Sequence, residues 1–276
     1  MRIGAHVPAR GSLLSAITAA RECGAEAVQV FVSNPRAWAP PRITNAEAEQ
    51  FRAAWLESGL GPLFAHAPYV VNIASPNPQF VQRSIDLARR SVAAASAVGA
   101  VGFVVHAGSG GPAEPEEALG RAAAALRAVA PEGDCAVVVE LTAGTVGSVA
   151  STFPEAARLF EAVEDPRLRL CADTCHLFAA GYGLDRPDGI ADCFEELRAT
   201  GLAERLVLIH ANDAKHEGGS HRDRHEHIGE GRIGVEGFFG FLHRPEVRDL
   251  SVVVETPGDL ADHSRNIATL RRLAAD

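Results

Sequence analysis

Lysine is almost absent from this chain: Lys215 stands alone against 25 arginines. Covalent catalysis through a lysine Schiff base therefore has a single side-chain candidate, and bond cleavage is better assigned to water and metal. Long apolar runs are missing too. The uncharged run from Ser91 to Ala107 is mostly Ala, Ser and Gly, which gain little from lipid, so no membrane span is expected. The start, MRIGAHVPARG, lacks a basic segment followed by an apolar stretch, so no secretory signal is read and a cytoplasmic protein is expected. The five cysteines (Cys23, Cys135, Cys171, Cys175, Cys193) are odd in number and scattered, which excludes a disulfide framework and suits a reducing compartment. No Pro/Ser-rich linker or low-complexity tail divides the 276 residues. The formal charge of −9 argues against general affinity for nucleic acid or anionic membranes, unless positive potential is concentrated locally.

Short apolar runs recur along the chain, and most end in a polar residue able to ligate. They are RIGAH at His6, AVQVFV at Val32, PLFAH at His66, VGFVVH at His106, AVVVE at Glu140, RLCAD at Asp173, LVLIH at His210 and SVVVE at Glu255. From His6 to Glu255 the seven intervals span 249 residues, about 36 each, the length of a strand, a loop and a covering helix. Between them lie stretches with helical spacing, including LLSAITAAREC, QRSIDLARRSVAAASAV, EEALGRAAAALRAVA and PEAARLFEAVE. Eight such units with near-continuous apolar strands predict an α/β fold: a single (β/α)8 TIM barrel over residues 1–276.

That fold carries a chemical expectation. Strand C-termini of such a barrel open on one face, so His66, His106, Glu140, Asp173, His210 and Glu255 should converge there and hold metal. A lone His at a strand end is more often a hydrogen-bonded rim residue; six His, Asp or Glu at six strand ends call for a common cause. In CADTCHLFAAGY, Asp173 and His176 are spaced for a tight turn to present both, with Cys171 and Cys175 read as buried small residues. In IHANDAKHEGGSHRDRHEHIGEGRIG, Asp223 and His225 stand at i and i+2, on one side of an extended segment that also holds Arg222 and Arg224. Imidazole and carboxylate without thiolate suit Zn, Mn or Fe. Several ions sharing carboxylates suit phosphate-ester hydrolysis, because together they activate water, polarise the phosphoryl oxygen and stabilise the leaving alkoxide. A sugar isomerase with one divalent ion needs fewer ligands.

The blocks GAHVPARGS, SNPRAW, HAPYVVNIASP, VVHAGS, ELTAG, CADTCHLFAAGY and HANDAK followed by SHRDRHEHIGEGRIG resemble, in order and along nearly the whole chain, the endonuclease IV family of apurinic/apyrimidinic endonucleases. The resemblance implies one AP endonuclease family 2 domain with three zinc ions, Mn or Fe being alternatives at one or more sites. It implies hydrolysis of the phosphodiester 5′ to abasic sites in double-stranded DNA, leaving a 3′-hydroxyl and a 5′-deoxyribose phosphate, and trimming of blocked 3′ ends in base-excision repair. By the same resemblance, His66, His106 and Glu140 hold the first ion. Glu140 bridges to a second held by Asp173, His210 and Glu255, and His176, Asp223 and His225 hold a third. Glu140 and Glu255 are the expected catalytic carboxylates, and Arg36, Tyr69 and Val70, with Arg222 and Arg224, the expected contacts to bent, damaged DNA around a flipped-out nucleotide. A monomer is expected.

Leu141, Ser33, the GTVGSV loop and Gly11-Ser12 depart from the family pattern, which bears on substrate preference more than on metal. Two alternatives follow: a single-metal sugar isomerase or epimerase of the xylose-isomerase-like barrel type, and a non-catalytic damaged-DNA-binding relative. His6 and His227 are candidates to orient ligands, Glu230 to position a ligand or water, and His243 and His263 are expected at the surface.

Overall fold

The structure is a computed structural model that describes residues 1–129 and 133–275. Its elements run β1 (Arg2–His6), α1 (Ser15–Cys23), β2 (Val28–Phe31), α2 (Asn45–Ser58), β3 (Leu63–His66), α3 (Pro78–Ala97), β4 (Gly102–His106), α4 (Pro115–Val129), β5 (Ala136–Glu140), α5 (Phe153–Val163) and β6 (Arg169–Asp173). They continue with α6 (Thr174–Ala180), α7 (Pro187–Ala199), β7 (Leu206–His210), β8 (Asp213–Ala214), β9 (His225–Glu226), α8 (Gly234–Leu242), β10 (Ser251–Val254) and α9 (Leu260–Ala275). Eight parallel strands close in the order β1-β10-β7-β6-β5-β4-β3-β2, which is the TIM barrel expected from the repeat. Among the described residues, no helix is long and apolar enough to cross a membrane. Ala130, the last residue of the predicted stretch that became α4, lies outside the described residues.

Local chemistry sets the helix starts. Thr44 and Thr152 each accept from the backbone N–H three residues on, while Glu47 and Glu155 bond back to the cap, so two capping boxes open α2 and α5. Asn77 caps α3, with Pro78 in the first position where its missing N–H is no loss.

Strand alternation builds the barrel interior in two layers. Ala27, Phe64, Val104, Val138, Cys171, Leu208 and Val253 form an apolar cluster separate from the main core between strands and helices. Each stands two residues before Gln29, His66, His106, Glu140, Asp173, His210 or Glu255, so the polar residues point inward one layer higher. The eighth strand follows the same rule with Gly4 and His6. A Cβ on Gly4 would sit 1.6 Å from the Ala27 carbonyl oxygen, which leaves no room for any side chain in that corner of the floor.

Three expectations need correction. β2 stops at Phe31 rather than Val32 and β10 at Val254 rather than Glu255, each one residue earlier than the apolar run, although Glu255 still follows the inward alternation. Asp173 and His176 are presented by the first turn of a helix, not by a tight turn: the Asp173 carboxylate caps α6 by accepting from the His176 backbone N–H at 2.9 Å. His263 is buried, not at the surface; it shares the inner stripe of α9 with Ile267 and Leu270 and its Nε2 donates to the Thr256 carbonyl. His243 is exposed as expected.

Candidate metal centre

Register places the polar layer at one level: His106 lies beside Glu140, and Asp173 beside His210. The Glu140 side chain is fully buried at its centre. One oxygen, Oε2, faces His66 Nε2 at 3.0 Å and His106 Nε2 at 3.1 Å. The other, Oε1, faces His210 Nδ1 at 3.0 Å and His176 Nδ1 at 3.4 Å. Glu255 Oε2 lies 3.3 Å from the same His210 Nδ1. A further trio stands beside it: Asp223 reaches His176 Nε2 at 3.3 Å and His225 Nε2 at 3.2 Å.

Three groups of donors result, each with ligand atoms within 4.8 Å of one another: His66, His106 and Glu140; Glu140, Asp173, His210 and Glu255; and His176, Asp223 and His225. All nine side chains expected to ligate fall into these groups, and Glu140 belongs to two. Asp173, Cys175 and His225 also lie close enough to count as a group. The Cys175 thiol is occupied by the Arg224 carbonyl at 3.6 Å, and burial pushes its pKa up, which disfavours the thiolate a metal would need.

The imidazoles are oriented by bonds on their far sides. His66, His176 and His225 each place Nδ1 against a backbone carbonyl, of Ala67 at 2.7 Å, Leu141 at 2.8 Å and Glu255 at 3.1 Å. Each Nδ1 must donate, which leaves Nε2 turned to the cluster as the nitrogen whose lone pair becomes free when the imidazole is neutral. The buried Nε2 atoms of His176 and His225 make no hydrogen bond, although Asp223 is at ion-pair distance. Lone pairs and carboxylates that surround a common point without pairing are a donor set suited to a cation.

Electrostatics agree. Burial alone would raise the Glu140 carboxyl, but His210 and His106 hold it well below the usual range. Burial likewise opposes charge on His225, but Asp173 and Asp223 outweigh it and raise its pKa to about 9. A ligating imidazole must be neutral, so an ion binding here displaces that proton. Affinity should therefore rise with pH up to about 9, by roughly tenfold per pH unit for each proton displaced, and then flatten. Chelator competition from about pH 6.5 to 9.5 checks this; a flat profile would contradict it.

The loop residues expected to face a substrate gather on the rim of the same mouth. Arg36 is exposed in the loop after β2, and the Tyr69 N–H donates to the Pro35 carbonyl at 2.8 Å, fastening that loop to the one after β3. Tyr69 is 63% exposed, its ring against Phe31, which in turn meets His66; Val70 is half-buried. Arg222 and Arg224 are exposed on either side of Asp223, and the Arg224 guanidinium bends back to the Asp223 carbonyl. Leu141 contributes only its backbone to the cluster, which is why a change of side chain there leaves His176 held. Ser33 and Gly11-Ser12 lie in the loops after β2 and β1, and Val146 of the GTVGSV loop is 83% exposed, held by Ser109 Oγ on its carbonyl.

Sequence reasoning left two contributors unassigned. Gln29 bonds both His210 and Glu255, and Asn212 donates to Asp173 Oδ2 at 2.6 Å while accepting the Glu255 N–H at 2.8 Å. The available signal for Gln29 was a lone amide interrupting AVQVFV two residues after Ala27. His6 Nδ1 meets Glu255 Oε1 at 2.9 Å, beside the donor group to which Glu255 belongs. His227 instead accepts from Asn266 on α9, and Glu230 is exposed.

The chain matches a broad class first: residues 17–273 fit the family described as xylose isomerase-like TIM barrel. Within that class, a protein of Streptomyces coelicolor named "Probable endonuclease 4" is 40% identical over 98% of this chain and 94% of its own length. One of the same name from Natronomonas pharaonis is 35% identical over 99% and 98%. The crystal structure of endonuclease IV from Thermus thermophilus superposes with a TM-score of 0.88 at 33% identity, covering 100% of this chain and 99% of that one. The chain belongs to the endonuclease 4 family and is an enzyme of the nuclease class. A 3-keto-D-glucoside 4-epimerase from E. coli, at 20% identity and a TM-score of 0.73 over 99% of both chains, shares the barrel.

Proposed function

We propose that this protein is a zinc-dependent endonuclease that hydrolyses the phosphodiester 5′ to abasic sites in duplex DNA, leaving a 3′-hydroxyl and a 5′-deoxyribose phosphate in base-excision repair. The observation that carries this reading is the set of three donor groups at one barrel mouth, two of which share Glu140. In it, His66, His106 and Glu140 hold one zinc, Glu140, Asp173, His210 and Glu255 a second, and His176, Asp223 and His225 a third, with Mn or Fe as alternatives. Nitrogen and carboxylate donors without thiolate suit these metals. When bound, such ions activate water and neutralise charge on a phosphoryl group and its leaving oxygen. The chain's own part is positional: Glu140, fully buried, and Glu255, half-buried, lie in the polar layer, and backbone carbonyls turn three imidazoles toward it. A site needing one ion would not require nine donors in three groups, which favours this reading over a sugar isomerase.

Around the mouth, Arg36, Tyr69, Val70, Arg222 and Arg224 contact the damaged duplex, with Arg36, Tyr69 and Val70 in the gap left by a flipped nucleotide. Purified protein should cut a duplex bearing one abasic analogue, and lose that activity with chelator; an intact duplex at full metal content would reject the reading. Arg36→Ala should weaken binding to that duplex about tenfold, roughly 1–2 kcal/mol, with metal content unchanged. Fluorescence anisotropy checks this alongside metal analysis, and equal affinity would remove Arg36 from the contact surface.

A further inference from the structure

The polar layer of the barrel holds one side chain that carries neither charge nor imidazole: Gln29, fully buried on β2. We infer that Gln29 is a positioning residue for the ion assigned to Glu140, Asp173, His210 and Glu255, acting by fixing which nitrogen of His210 is bare and which oxygen of Glu255 is free. The inference rests on the metal reading above and adds to it a residue outside the donor groups.

The argument is one of donors and acceptors. Gln29 Oε1 lies 3.0 Å from His210 Nε2, and a carbonyl oxygen only accepts, so Nε2 must carry the imidazole proton. In the neutral imidazole that an ion requires, His210 Nδ1 is then bare, and it is this atom that faces Glu140 Oε1 at 3.0 Å and Glu255 Oε2 at 3.3 Å. Three acceptors around one point repel unless a proton or the metal ion that displaces it lies among them. The other end of the amide does the complementary task. Gln29 Nε2 donates to Glu255 Oε1 at 2.6 Å, and His6 Nδ1 meets the same oxygen at 2.9 Å, so Oε1 is taken up and Oε2 is left for the ion. Turning the amide over would set its NH2 against the N–H of His210 and its oxygen against a carboxylate. Only one orientation satisfies all three neighbours.

This device differs from those at the other imidazoles. His66, His176 and His225 are set by backbone carbonyls, which no substitution removes; His210 is set by a side chain. It also presents Nδ1 inward where those three present Nε2. A loss at Gln29 should therefore weaken one ion and spare the others. Partners that orient ligating histidines typically contribute about 10–100-fold in metal affinity.

Gln29→Met keeps the length and bulk of the side chain while removing its hydrogen bonds to His210, Glu255 and His6. In zinc-loaded protein under chelator competition, one ion should dissociate about 10–100-fold more readily in the variant, the remaining ions as in wild type. In 15N spectra of zinc-loaded wild type, His210 should carry its proton on Nε2 with Nδ1 bound to metal. That second measurement decides the matter even where the variant fails to fold. A proton on Nδ1 of His210, or unchanged affinities for every ion in Gln29→Met, overturns the inference alone. Wild-type protein that takes up no zinc at all overturns the metal reading and this inference with it.

Discussion

Glu140→Gln should yield a folded protein that has lost most of its metal and at least about a thousandfold of its cleavage of an abasic duplex, roughly 4 kcal/mol of barrier. The reason is the number of partners this carboxylate serves. Its two oxygens face His66, His106, His210 and His176, and it is the donor common to two of the three groups. A carboxamide matches the shape but offers one acceptor oxygen and turns an N–H2 donor toward two of those imidazoles. It also removes the anion that two ions would share in a cavity where charge is poorly screened. Metal analysis by mass spectrometry, far-ultraviolet circular dichroism and single-turnover cleavage together check the result. Full metal content with wild-type cleavage would remove Glu140 from its bridging position.

Asp213→Ala should cost roughly 3–5 kcal/mol of stability and lower the melting temperature by about 10 °C. Asp213 is buried beside the metal cluster but belongs to none of the donor groups. Its carboxylate instead accepts the backbone N–H groups of Ala214, Gly229, Gly231, Ile233 and Gly234, all between 2.8 and 3.2 Å. Removing it orphans five donors, four of them in the turn that leads from β9 into α8. Each would cost about 1–3 kcal/mol if left dry, and entry of water recovers part of the total. A Cβ on Gly231 would lie 2.5 Å from Asp213 Oδ1, so the turn is closed tightly over the carboxylate. Because His225 sits on β9, the same change should loosen the third donor group. Thermal unfolding checks the prediction, and Asp213→Asn should fall between, since one oxygen remains to accept. A melting temperature within about 2 °C of wild type for Asp213→Ala would contradict this account.

These two residues mark how far the sequence could be read. Glu140 was legible because it ends an apolar strand, the same signal that marked His66, His106, Asp173 and His210. Asp213 and Asn212 lie in the motif HANDAK beside His210, yet nothing in their spacing distinguishes a ligand from a residue that fastens a loop. Asp213 makes most of its contacts to a segment that begins 16 residues later, at Gly229, so its role depends on where that segment returns. Gln29 was passed over because an amide is not a metal ligand of the expected type, and its partners, His210 and Glu255, lie 181 and 226 residues away. His263 was misplaced for a different reason: its polarity argued for the surface, while its spacing from Ile267 and Leu270 placed it on the buried stripe of α9.

Periodicity by itself determined the architecture. Eight apolar runs at regular intervals, separated by amphipathic stretches, leave few ways to bury their surface other than a closed parallel sheet under helices, and a donor at the end of a run then opens onto the common mouth. Residue types also determined the kind of chemistry, since imidazole and carboxylate select the class of cation. The family resemblance already implied which donors form each group; only the tertiary structure decided which nitrogen of each imidazole faces inward, and which neighbours hold them there. Those matters turn on contacts of about 3 Å between residues far apart along the chain, and a linear pattern carries the face on which a side chain lies but not the partner that closure of the barrel brings to it.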